Sequence, residues 1–152
     1  SDDMVFYLAG PMSGIPQFNF PAFEEAATKL RELAGMTIIN PAELDDDEDR
    51  EAALASPDGD LKEVKHTWGE FLSRDVLILA DQCDGIMFLP GWEHSKGACL
   101  EACVGLLLGY SFALCDTEEE MIYPLSPSTV AEKVIDRMTD YTNYLPKSMT
   151  VH

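Results

Sequence analysis

Met4-Val-Phe-Tyr-Leu-Ala9 is a compact apolar run that stops at Gly10-Pro-Met-Ser-Gly14, and beyond it the apolar residues return at helical spacing, at Phe23, Ala26, Ala27, Leu30 and Leu33. This switch from contiguous to helical patterning, repeated along the chain, is what most restricts its fold. An apolar run broken by glycine and proline predicts a buried strand entering a loop. The helical spacing predicts a helix that begins at Pro21 and is stopped by Gly35.

The pattern then recurs. Thr37–Asn40 predicts a second strand, and Trp68, Leu72, Val76 and Leu79 predict a helix from about Leu61 to Ala80. Gly85–Leu89 reads as a third strand, Gly97–Gly109 as a largely apolar helix and Ser111–Leu114 as a fourth strand. Ser128 is placed to cap a last amphipathic helix through Met138, and beyond Tyr141 no pattern is readable. Strands alternating with helices predict an α/β fold, a three-layer α/β/α arrangement around a central, mostly parallel sheet of four to five strands, flavodoxin- or Rossmann-like. Ligands in such folds bind at the carboxyl ends of the strands. The loops Gly10–Asn19 and Pro90–Lys96 are therefore the expected walls of a site.

With 152 residues the chain is expected to form one domain, 1–152. Its formal charge of −18, from 28 acidic against 10 basic residues, disfavours a nonspecific grip on duplex nucleic acid or on an anionic membrane. No apolar run approaches a membrane span, and no basic region leads into an apolar signal core. A cytoplasmic location is expected. The acidic stretch at about 43–60 and the run Asp116–Glu120 read as solvated surface loops, because such composition buries little apolar surface. Cys83, Cys99, Cys103 and Cys115 suit small core residues in a reducing compartment. Cys99, Cys103 and His94 fall short of a zinc ligand set, so no metal is expected.

Glu101 is a lone charge in an apolar helix, near its amino terminus. Burial there is costly for a carboxylate unless a site uses it, and the helix dipole is expected to keep it ionised. Such a group can attack an anomeric carbon and form a glycosyl intermediate. It can equally be a boundary glutamate paired with a lysine. Asp75 could assist a leaving group, or simply pair with Arg74. Tyr7, at the end of the first strand, can reach the site with its hydroxyl or belong to the core. Ser95, Lys96 and Gly97 open the apolar helix with a cap, free amides and an ammonium group, which suits an anion such as a 5′-phosphate as well as it suits plain capping. Gly10-Pro-Met-Ser-Gly14 lacks the GxGxxG pattern of dinucleotide sites. Trp92 and Trp68 could stack on a base or serve as core and rim.

Taken together, Tyr7–Gly14, Arg74-Asp75, Asp84-Gly85 and Ser95–Glu101 resemble the nucleoside 2-deoxyribosyltransferase superfamily over most of Met4–Leu114. The chain looks especially similar to a small phage and bacterial domain that reads YIAGPMTG, then NFPAF, then LPGWE-S-GA-x-x-E. Here those motifs are Tyr7–Gly14, Asn19–Phe23 and Leu89–Glu101. The resemblance implies Glu101 as nucleophile, Asp75 as the group assisting the leaving base and Tyr7 as the strand-end tyrosine. It also implies substrate-binding roles for Gly10, Pro11, Met12, Asn19, Trp92, Ser95, Lys96 and Gly97. Deoxyribosyltransferases usually carry aspartate where this chain has Ser95, whereas the branch hydrolysing 2′-deoxynucleoside 5′-monophosphates is similar in having serine, which admits a phosphate that aspartate would repel. The arginine common in the first loop of that branch is missing here, where Met12 and Ser13 stand.

The resemblance thus implies an N-glycosidase acting on 2′-deoxynucleoside 5′-monophosphates, without metal or organic cofactor. A base-exchanging deoxyribosyltransferase, a non-catalytic nucleotide sensor and an interaction protein working through its acidic face are the alternatives. It further implies a homodimer or higher homo-oligomer, with Ser126, Ser128, Asn143 and Tyr144 as candidates to reach a neighbour's site.

Overall fold

A computed structural model describes residues 3–60 and 66–139. Five strands form one sheet: β1 (Val5–Ala9), β2 (Thr37–Ile39), β3 (Gly85–Phe88), β4 (Ser111–Asp116) and β5 (Met121–Leu125). Their spatial order is β2-β1-β3-β4-β5, with the first four parallel and β5 antiparallel to β4. The helices are α1 (Phe20–Leu33), α2 (Asp47–Ala55), α3 (Trp68–Gln82), α4 (Lys96–Leu108) and α5 (Pro127–Thr139). The expected mostly parallel α/β/α architecture is the one observed.

Side-chain alternation along the strands splits the core in two. Leu8, Met87, Ala113 and Cys115 point to one face and pack with Phe20, Phe23, Ala26, Ala27 and Leu30 of α1. Tyr7, Ala9, Ile86, Phe88 and Phe112 point to the other, where Leu79 of α3, Ala98 and Ala102 of α4 and Val130 and Val134 of α5 cover them. Because β1 lies between β2 and β3, the chain leaves its two central strands in opposite directions. That divergence opens a crevice at their carboxyl ends.

Three expectations are corrected. The acidic stretch at about 43–60 is not simply a surface loop, since it contains α2 and begins at the end of a short 3-10 helix, Pro41–Glu43. Asp46 accepts from the Asp49 amide at 2.8 Å, and Asp47, Glu48 and Asp49 complement the positive end of the helix dipole. Acidic residues concentrated in a first turn thus favour a helix that composition alone disfavours. Second, α3 begins at Trp68, where Thr67 and Glu70 form a capping box. Residues 61–65 lie outside the described residues. Third, the amide of Thr129 is capped by Ser126 at 3.1 Å, so the last helix starts at Pro127 rather than after Ser128. Strand β5 had no assigned position in the sequence. The Asp116–Glu120 run supplies the turn leading into it.

The segment after α2 returns to the loop after β1. Gly14 donates to the Gly59 carbonyl at 3.0 Å and Gln17 to that of Ser56 at 2.8 Å. Gly59 has φ +70°, and a Cβ there would lie 2.3 Å from the Ile15 carbonyl oxygen. Gly59→Ala is therefore expected to lower stability by roughly 2 kcal/mol or more, since left-handed strain and a backbone clash act together. Urea denaturation checks this, and an unchanged midpoint would contradict the loop's tight closure.

Candidate functional site

Glu101 sits on the sheet-facing side of α4 with 6% of its surface exposed, yet it lines a cavity of about 250 Å³. Asp75 of α3 lines the same cavity. Tyr7, pointing up from β1, is fully buried, and its hydroxyl interacts with both carboxyls while meeting full hydrogen-bond geometry with neither. Proximity rather than a formed bond defines that contact. A buried hydroxyl left in this state is uncommon in a core.

Burial pushes Glu101 up to about 8, and the neighbouring Asp75 adds to the shift, while the Tyr7 hydroxyl opposes it. This corrects the expectation that the helix dipole keeps Glu101 ionised. Glu101 is the sixth residue of α4, beyond the first turn where a dipole is strong, so loss of hydration wins. Asp75 is raised to about 6 by burial, against the opposing pull of Arg74. The Arg74 guanidinium donates to Asp75 at 2.9 Å and to Asp45 at 2.6 Å. Arg74 thus does pair with Asp75, as one sequence reading allowed, and in doing so ties α3 to the segment before α2. The Tyr7 hydroxyl is itself held well above its ordinary value, first by burial and then by the two carboxyls.

The walls come from the two expected loops. Gly10, Pro11, Met12 and Ser13 follow β1, and His94, Ser95, Lys96 and Gly97 follow β3. A Cβ on Gly10 would lie 2.9 Å from Leu89 Cβ, so glycine lets the two loops approach. The Ser95 hydroxyl accepts from the Ala98 amide at 3.2 Å, and the same residue faces the cavity, so capping and lining coexist. Gly97 has a different reason to lack a side chain. A Cβ there meets only Ser95 Oγ, at 3.9 Å, in ordinary contact. Gly97→Ala is accordingly expected to keep or slightly raise stability, by up to ~1 kcal/mol, because alanine is the better helix former. Ligand affinity should fall about tenfold or more if the amide end of α4 receives an anion closely. Calorimetry and thermal melting together check this; loss of stability would assign the glycine to packing instead.

Two expected binding residues are not in the cavity wall. Trp92 is buried, its ring stacked on Phe88 at 4.0 Å between centroids, so it belongs to the core. Asn19 donates from Nδ2 to the Pro11 carbonyl at 3.0 Å and braces the first loop from behind. Trp68 does line the cavity, with the Lys96 ammonium 5.9 Å from its ring centroid. Phe71, Leu72, His94 and Arg137 also line it, and none of them is assigned a substrate-binding role from the sequence. Leu72 belongs to the helical stripe that gave α3, which signals burial but not a ligand. Of the candidates for reaching a neighbouring subunit, Ser126 and Ser128 bond to each other at 3.1 Å, and Asn143 and Tyr144 lie outside the described residues.

Among the described residues one trio could offer a metal three donors: Asp46, Asp49 and His66, where His66 Nδ1 contacts the Asp49 carboxylate. It lies apart from the carboxyl pair, on a neighbouring cavity. The four cysteines are free thiols, three of them buried. No helix of the described residues is long and apolar enough to cross a membrane.

A doubly covered, mostly parallel sheet with a buried glutamate, a partly buried aspartate and a tyrosine hydroxyl at its switch point is the class of protein that this fold and site define. The chain belongs to the DUF4406 family, described as a domain of unknown function, which matches residues 4–112. That span includes Tyr7, Asp75 and Glu101. No curated protein matches the chain, and no solved structure does.

Proposed function

We propose that the protein is an N-glycosidase that hydrolyses the base–sugar bond of 2′-deoxynucleoside 5′-monophosphates. The observation that carries this reading is that Glu101 and Asp75 line one small cavity at the carboxyl end of the sheet, with the buried Tyr7 hydroxyl against both, and that the two carboxyls are pushed to about 8 and about 6. Paired acids displaced from their ordinary range, beside a space for a ligand, suit general acid and nucleophile roles.

In this mechanism the Glu101 carboxylate attacks C1′ as the C1′–N bond breaks. The electron pair leaves with the base, which takes a proton from Asp75. Water then attacks C1′ of the glycosyl ester, releasing Glu101 and returning a proton to Asp75. Tyr7 directs its hydroxyl at the Glu101 carboxylate and holds the attacking oxygen in place. The pair needs one proton in total. The resting arrangement favours that proton on Glu101 and the reactive one favours it on Asp75, so a single proton shift separates them. Ser95 and Gly97, at the amide end of α4, receive the phosphate, and Trp68 offers a face to the base.

Chromatography of the protein incubated with nucleosides and with nucleoside monophosphates tests the reading. Base release from monophosphates, with water as acceptor, is the expected result. Capture of the sugar by an added free base would identify a deoxyribosyltransferase. Ligand binding without turnover, unchanged in Glu101→Gln, would identify a sensor.

A further inference from the structure

Arg137 stands on α5, outside the stretch matched by the family, yet it lines the cavity that holds Glu101, Ser95, Lys96 and Gly97. It arrives there because α5 packs on α4 and on the short helix Trp92–His94. Its charge acts on the thiol of Cys99, which places the guanidinium toward the amino-terminal turns of α4. The chain has only 10 basic residues against 28 acidic ones, and two of those, Lys96 and Arg137, face this cavity beside His94. In so acidic a protein an anionic ligand is repelled from the general surface, so cations gathered at one cavity define where it can enter.

Ser95 and Lys96 also face the cavity, and each is placed by a contact of its own. The Ser95 hydroxyl already accepts from Ala98, and the Lys96 ammonium lies over the Trp68 ring. A guanidinium brings a planar fork that matches two phosphate oxygens at once, which a lysine does not. We infer that Arg137 is the phosphate receptor of this site and sets its preference for nucleoside monophosphates over nucleosides. For the identity of its substrate the inference rests on the glycosidase reading. The receptor itself does not, because it concerns binding of a phosphate group rather than the chemistry at C1′. Arg137 thereby takes the place of the cation that the first loop, with Met12 and Ser13, does not provide.

The test compares the wild type with Arg137→Gln and Arg137→Lys, each first shown to be folded by circular dichroism. Two probes are titrated calorimetrically, inorganic phosphate and a 2′-deoxynucleoside 5′-monophosphate, with the matching uncharged nucleoside as control. Arg137→Gln is expected to lose roughly 10- to 100-fold in affinity for both phosphate-bearing probes, with nucleoside binding unchanged and Arg137→Lys intermediate. In turnover the loss appears in KM for monophosphates, with kcat nearly retained. Equal binding of phosphate by wild type and Arg137→Gln overturns the inference, as does an equal loss for nucleoside and monophosphate, which would mark a structural role. If Arg137→Gln fails to fold, the conservative Arg137→Lys carries the same comparison. Arg137-dependent phosphate binding without any base release would leave the receptor standing and remove the glycosidase.

Discussion

Glu101→Gln is expected to abolish base release, with a loss of roughly 10³-fold or more in kcat, while making the protein more stable. The two effects have one physical origin. Burial holds the folded-state value of Glu101 at about 8 against an ordinary 4.5, so the folded protein binds that proton more tightly than the unfolded chain does. The carboxyl therefore costs nothing below its unfolded value, costs progressively more as pH rises from 4.5 toward about 8, and reaches its full cost above that. At pH 7 the penalty is on the order of 3 kcal/mol, which glutamine removes while keeping the shape of the side chain. Denaturation of both proteins across pH measures it. The gain should grow with pH and vanish in acid. A variant both inactive and less stable at neutral pH would instead describe Glu101 as a structural residue.

The second large effect is a bell-shaped dependence of kcat/KM on pH, rising through about 6 and falling through about 8. These belong to the pair rather than to either residue, because the two carboxyls interact directly and share Tyr7. Below the lower limb both carry protons and no nucleophile exists. Above the upper limb both are ionised and no acid remains for the base. Asp75→Asn removes the acid and the neighbouring charge together, so only a rising limb should survive, moved above about 6 because burial still holds the Glu101 carboxyl up, with kcat reduced about 10²-fold or more. A substrate phosphate titrates near ~6 as well. Carbon NMR of the carboxyl groups in the free protein separates that contribution from the enzyme's own. A profile flat across the interval, with both carboxyls titrating in the ordinary range, would contradict the assignment.

The sheet and Glu101 were readable in the sequence because each leaves a local mark, whereas Asp75 reads as readily as a plain partner of Arg74 and enters with the resemblance. Contiguous apolar runs gave β1 and β3, and a single charge inside the apolar α4 gave Glu101. What escaped has no such mark. Helix α2 is acidic and buries little beyond Asp49 and Ala53, so its cap and first-turn charges outweigh a composition that reads as loop. Strand β5 is an exposed edge strand containing Pro124, paired on one side only, and carries no clean alternation. Trp92 looks from its loop like a wall of the site, but its stacking on Phe88 turns it inward. The part of Arg137 depends on α5 crossing onto α4, a tertiary fact that no spacing within α5 encodes. The sequence alone predicts an ionised Glu101, whereas in the fold it holds its proton to about 8, because the depth of its burial belongs to the packed structure.

The central claim is that Glu101 forms a bond to the sugar before water does, and stereochemistry at C1′ tests it most directly. Two successive displacements retain configuration and a single one inverts it. With methanol as a competing acceptor, the sugar is captured as a methyl glycoside whose anomer proton NMR reads without interference from mutarotation. The β-anomer, formed by the wild type and not by Glu101→Gln, is the result this account requires. The α-anomer, or the same product at the same rate from Glu101→Gln, would contradict it.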